Sequence, residues 1–113
     1  MAARLNYLEL PVTDVPRSRA FYADAFGWAF TDFGPDYSAT MTGDTDIGLS
    51  GDPAERPAHP LPVIEVDDLD AALTRIEAAG GVVTVPIFAF PGGRRFHFRD
   101  PAGHELSAMQ PDG

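Results

Sequence analysis

The sequence predicts an α+β protein built from two tandem βαβββ modules, on three observations. Two stretches, residues 7–28 and 62–81, each run from an apolar–polar alternation into a helical apolar stripe with glycine at its end. Each is followed by three short β-like segments separated by turn residues. The halves also superpose on a shift of 54 positions, which sets Leu10 on Ile64, Val12 on Val66, Asp14 on Asp68, Ala25 on Ala79 and Gly27 on Gly81. Five matches in one register, spread over more than a helix, indicate an internal duplication.

In the first module, about 1–51, Leu8, Leu10 and Val12 alternate with Tyr7, Glu9 and Pro11, a period of two that reads as a strand. Asp14 is placed to cap a helix whose stripe is Val15, Tyr22, Ala25 and Phe26. Pro16 is tolerated because the first helical turn has no use for its missing N–H. Gly27 supplies the left-handed residue that ends a helix. Segments 28–33, 37–42 and 46–50 then read as strands, divided by Gly34-Pro35-Asp36 and Gly43-Asp44. The aromatics Phe21, Tyr22, Phe26, Trp28, Phe30 and Phe33 read as core, with Trp28 and Phe33 also suited to lining an apolar pocket.

The connector, about 52–60, holds three prolines and reads as a stiff, exposed hinge. The second module, about 61–113, opens with Ile64 and Val66 on a strand, and Asp68 is the helix cap. The stripe is Leu69, Ala72, Leu73 and Ile76, and Gly80-Gly81 end the helix. Strands are expected over 82–90, 94–100 and 104–110, with turns at Pro91-Gly92-Gly93 and Pro101-Ala102-Gly103. Pro86 marks its strand as an edge or a bulge. Arg94 and Arg95 read as the solvated shoulders of a hairpin, and His59 and His104 as exposed.

Composition limits the function. With 113 residues the chain forms one compact domain at most. Its 17 acidic residues against 8 basic ones give a net charge of −9, which repels phosphate backbones and argues against nucleic-acid binding. No cysteine is present, so disulfides, thiol nucleophiles and thiolate metal sites are excluded. No apolar run reaches the ~18 residues of a membrane span, and the N-terminus lacks the pattern of a signal peptide. A cytoplasmic protein with no membrane partner is expected.

The stretches LELPVTDVPRSRAFYADAFGW (8–28), IEVDDLDAALTRIEAAGG (64–81) and FRDPAGHELSAMQ (98–110) together resemble the vicinal oxygen chelate superfamily. That superfamily includes glyoxalase I, extradiol dioxygenases, methylmalonyl-CoA epimerase and the bleomycin-resistance proteins. The resemblance implies that the modules form a curved eight-stranded sheet cup, and that the chain forms a homodimer. It also places metal ligands, usually His, Glu or Gln, seven residues before each capping Asp and seven after the Asp of the Asp-Pro-x-Gly turn. Here those positions hold Tyr7, Leu61 and Ser107, and the fourth falls among Ile47, Gly48 and Leu49. Neutral hydroxyls and apolar groups are poor ligands for a hard divalent ion. No cofactor is therefore expected, with a displaced divalent metal as the alternative.

Strand parity then nominates the lining of the cup that the resemblance implies. Glu9 shares Tyr7's face, Glu105 and Met109 share that of Ser107, and His97 alternates against Phe96 and Phe98. Tyr7, Glu9, Leu61, His97, Glu105, Ser107 and Met109 are the ligand-binding candidates, and His97 with Glu105 the catalytic ones. Each has a simpler reading: the glutamates as solvated rim, His97 as a structural histidine, Tyr7 as a wall, Met109 as filler. The expected function is metal-independent binding of a small organic molecule, with the acidity suiting a cationic one. The alternative is a lyase, isomerase or dioxygenase-type enzyme using His97 with Glu9 and Glu105, with or without a displaced metal.

Overall fold

A computed structural model describes residues 2–113. Its elements follow the expected order: β1 (Ala3–Pro11), α1 (Val15–Phe26), β2 (Phe30–Asp32), β3 (Tyr37–Thr40), β4 (Asp46–Ser50), β5 (Leu61–Val66), α2 (Leu69–Ala78), β6 (Val82–Phe90), β7 (Gly93–Arg99) and β8 (Glu105–Pro111). The class is α+β, and the chain divides into two compact units, Tyr7–Leu61 and residues 2–6 with Pro62–Gly113.

The unit Tyr7–Leu61 orders its strands β2-β3-β4-β1, with β1 parallel to β4 from Tyr7 opposite Asp46 to Pro11 opposite Ser50. Its helix begins where the Asp14 carboxylate accepts from the Arg17 N–H at 3.1 Å, which satisfies a donor that has no partner inside the helix. It ends at Gly27, whose φ of 73° suits a residue without Cβ. The connector is less free than a hinge. Arg56 donates to the Val12 carbonyl at 2.9 Å, and Asp52 caps its own turn through the Ala54 N–H.

The other unit orders β5-β8-β7-β6, with β5 parallel to β8 and Val63 opposite Ser107. Pro86 lies in β6, at the edge of that order, among the two register shifts expected of a bulge. Asp68 caps α2 by accepting from the Ala71 N–H at 3.0 Å. Phe96, Phe98, Ala108 and Val66 pack with Leu69 and Ala72 of α2 into a buried cluster, flanked by Ile64, Leu73 and Ile76. The Asp-Pro-x-Gly turn closes on itself. The Asp100 carboxylate accepts from the His104 N–H, and the Asp100 carbonyl accepts from Gly103, both at 2.9 Å.

Two expectations for the first module are corrected. The segment 28–33 is a strand only over Phe30–Asp32, because Trp28 instead stacks on Tyr22 and Phe26 at the helix end. The aromatics are not a core: Phe21, Phe26, Trp28 and Phe33 are exposed, Phe26 at 61%. Within α1 only Val15 is fully buried, and the half-buried residues are Ser18, Arg19, Tyr22 and Ala23, while Ala25 and Phe26 lie outside. Phe21 points away from Val15's azimuth, and Phe26 shares that azimuth but falls in the last turn, beside an open groove.

Phe96 is fully buried, whereas Phe26 is mostly exposed. Phe96→Ala is therefore expected to cost about 3–5 kcal/mol, and Phe26→Ala less than about 1 kcal/mol. Urea unfolding midpoints at unchanged slope would measure both.

Candidate functional site

The candidate residues fall into two groups, one in each unit. In Tyr7–Leu61, alternation along β1 sends Tyr7 and Glu9 to one face, and the register of β3 on β4 brings Tyr37 beside them. Tyr37 donates to Glu9 Oε2 at 3.2 Å, and the Tyr7 and Tyr37 hydroxyls are hydrogen-bonded to each other. A hydroxyl has one proton, so Tyr37, donating to Glu9, accepts from Tyr7. The chain runs Tyr7 to Tyr37 to Glu9. Glu9 is only 5% exposed, so it is not the solvated rim residue of the simpler reading. Burial, then the neighbouring Glu9 charge, hold the Tyr37 hydroxyl far above its ordinary pKa, so it remains protonated.

Gly48 permits this arrangement. A Cβ there would lie 2.1 Å from both tyrosine hydroxyl oxygens, so only a bare backbone fits beneath them. Tyr37 and Gly48 were not among the sequence candidates. An interior strand glycine was the available signal, but the residue it accommodates depends on cross-strand register.

The positions that the resemblance assigns to metal ligands do not fit a divalent ion. Tyr7 is engaged with Tyr37, Leu61 is buried and has no donor atom, and Ser107 donates to the Phe96 carbonyl at 3.2 Å with no exposed surface. Between Ile47 and Leu49 there is only glycine. Among the described residues, neither unit gathers three His, Asp or Glu side chains into a metal-holding group.

In the second unit, β7 pairs His97 with Ser107, Arg95 with Met109 and Arg99 with Glu105. Phe96 and Phe98 go into the core and His97 goes to the opposite face, as parity predicted. His97 Nδ1 lies 4.0 Å from Glu105 Oε2, which accepts from the Thr84 hydroxyl at 2.7 Å. The imidazole stands edge-on to Phe88, with centroids 5.9 Å apart, and its Nε2 is buried without a hydrogen-bond partner among the described residues. Burial lowers the His97 pKa, the Arg95 charge lowers it further, and Glu105 opposes both. The result favours a neutral imidazole.

Arg95 is not the solvated shoulder expected. Its guanidinium lies 5.1 Å from the ring centroids of both Phe88 and Phe90. Parity separates it from Arg94, which faces the helix side and pairs with Asp70 at 3.6 Å. His59 and His104 are exposed, as expected.

Comparison with known proteins gives three kinds of match. The profile of the Glyoxalase/Bleomycin resistance protein/Dioxygenase superfamily matches residues 4–107. CFP32 of Mycobacterium tuberculosis, provisionally named a glyoxylase, is 31% identical over 93% of this chain and 44% of its own length. The anthracycline biosynthesis protein DnrV of Streptomyces peucetius is 32% identical over 86% of this chain and 43% of its own length. The chain thus spans less than half the length of these curated relatives. The crystal structure of methylmalonyl-CoA epimerase from Mycobacterium tuberculosis superposes with a TM-score of 0.76 at 15% identity, covering 97% of this chain and 89% of that one, a likeness of fold alone.

Gly48→Ala is expected to displace the tyrosine pair and cost about 1–3 kcal/mol, read from urea unfolding. A pH effect follows from His97. Its folded pKa is depressed below 6.5, so the unfolded chain takes up the proton first. Its contribution is fully present above pH 6.5 and is lost as pH falls toward the folded value. The melting temperature of wild type should therefore fall more steeply than that of His97→Gln between pH 7.5 and about 5.5.

Proposed function

The chain belongs to the glyoxalase/bleomycin resistance protein/dioxygenase superfamily, and from that premise we propose that it binds a small organic molecule without a metal ion. The observation that carries this reading is the Tyr7–Tyr37–Glu9 chain. At the position where the family resemblance calls for a ligand, Tyr7 instead heads a relay of hydroxyls ending on a carboxylate. The relay is built of hydroxyl and carboxylate oxygens, groups that accept hydrogen bonds. An N–H or O–H group, such as that of an amine, is the complementary chemistry. The net charge of −9 favours a cationic ligand of this kind through long-range attraction. A homodimer in the cytoplasm is part of the same reading.

A second reading rests on the neutral imidazole of His97 beside Glu105. Such a pair suits general acid–base work in a metal-free lyase or isomerase. It predicts turnover that disappears in His97→Gln and survives a chelator.

Elemental analysis of protein purified without chelator or affinity metal, followed by a thermal-shift screen in EDTA, tests the binding reading. The probes are cationic glycopeptides and alkylamines, which are protonated at neutral pH. Stabilisation should rise with ligand concentration, reaching about 2.7 kcal/mol at a hundredfold excess over Kd. It should weaken in Tyr7→Phe and Glu9→Gln. A stoichiometric divalent ion, or stabilisation seen only with added metal, would overturn metal independence.

A further inference from the structure

In the unit Tyr7–Leu61, a half-open groove of about 720 Å³ lies beside the C-terminal end of α1. It is lined by Leu8, Trp28, Met41, Ile47 and neighbouring threonines and Asp46. Along β1, Leu8 points to the face opposite Tyr7 and Glu9, so this groove is separate from the hydroxyl relay. Its volume falls within the range of small-molecule sites, about 300–1,000 Å³.

The lining indicates what would enter. Tyr22, Phe26 and Trp28 form a stack, with Trp28 5.7 Å from Tyr22 and 5.1 Å from Phe26, and Trp28 is the member that lines the groove. Trp28 is 42% exposed and Met41 66%, so both present apolar surface to an incoming molecule. Asp46 is the one charged residue in the lining, and its carboxylate is already committed. It accepts from the Thr40 hydroxyl, the Thr42 hydroxyl and N–H, and the Gly43 N–H, at 2.8–3.0 Å. Burial alone would raise its pKa, but these hydrogen bonds outweigh that and keep it anionic. A fixed negative charge with its hydrogen-bonding capacity engaged repels anions and offers a neutral ligand no strong polar contact.

We propose that this groove is a second ligand site, which takes an uncharged planar aromatic molecule stacked on Trp28 against Met41. Recognition rests on apolar area and ring stacking.

Trp28 is the sole tryptophan, so its fluorescence reports this site alone. The probe is N-phenyl-1-naphthylamine, neutral and carrying a planar naphthyl ring, with anilinonaphthalene sulfonate as its anionic counterpart. The neutral probe should bind saturably at one per chain, with energy transfer from Trp28, and the anion should bind far more weakly. Met41→Glu, at an exposed position, should leave the melting temperature intact and weaken the probe by about tenfold. Tyr37→Phe and Glu9→Gln should leave it unchanged, so failure here and failure of the hydroxyl-relay site are read separately. Absence of saturable energy transfer, equal binding of the anion, or unchanged binding in Met41→Glu would overturn the proposal. So would a light-scattering dimer that Met41→Glu dissociates with a red shift of Trp28 emission, because the groove would then be covered by a second copy of the chain.

Discussion

Each unit has one helix to cover one face of a four-stranded sheet, and this two-sidedness governs where every side chain goes. Alternation along a strand assigns successive residues to opposite faces, so one face acquires the packing residues and the other the chemistry. In β7 the consequence is plain from one residue to the next. Phe96 and Phe98 join Leu69 and Ala72 in the core, while Arg95 and His97 stand on the other side with Ser107 and Met109. In β1 the same rule separates Leu8 and Leu10 from Tyr7 and Glu9. The polar groups of both clusters are therefore products of the packing pattern.

Much of this was legible in the sequence because it depends on local chemistry. Asp14 and Asp68 cap the helices they precede, Gly27 closes α1, and Pro86 sits among bulges on an edge strand. The parity of His97 against its phenylalanine neighbours needed nothing beyond a period of two. The hidden features depend on which residues become neighbours across strands. Nothing local to Tyr37 or Gly48 says that they meet, since that follows from the register of β3 on β4. Arg95 looked solvated because two arginines after a glycine turn resemble a hairpin shoulder. Strand parity sends the two to opposite faces, Arg94 toward Asp70 of α2, and the two rings that hold Arg95 lie several residues away in β6.

The misreading of the aromatics has a different cause. An apolar stripe at helical spacing says that a face is apolar, but the depth of cover above it is a tertiary property. Val15 is covered, and by the last turn of α1 the aromatic residues stack on one another and remain exposed. The surplus of exposed aromatic surface is a feature of the first module, and the repeat in the sequence does not reproduce it: on the shift of 54 positions, Arg75, Ile76 and Gly80 stand where the first module has Phe21, Tyr22 and Phe26.

The bare backbone beneath the two tyrosine hydroxyls has an evolutionary consequence. A methyl group at position 48 collides with both hydroxyl oxygens at once, so positions 7, 37 and 48 cannot drift independently. Any lineage that acquires a side chain at 48 must already have shortened or turned aside the residues at 7 and 37, and Glu9 would then lose the hydrogen bond that Tyr37 donates to it. Gly48 thus imposes an order on sequence change, in which the hydroxyl relay is dismantled from the tyrosines before the glycine is released.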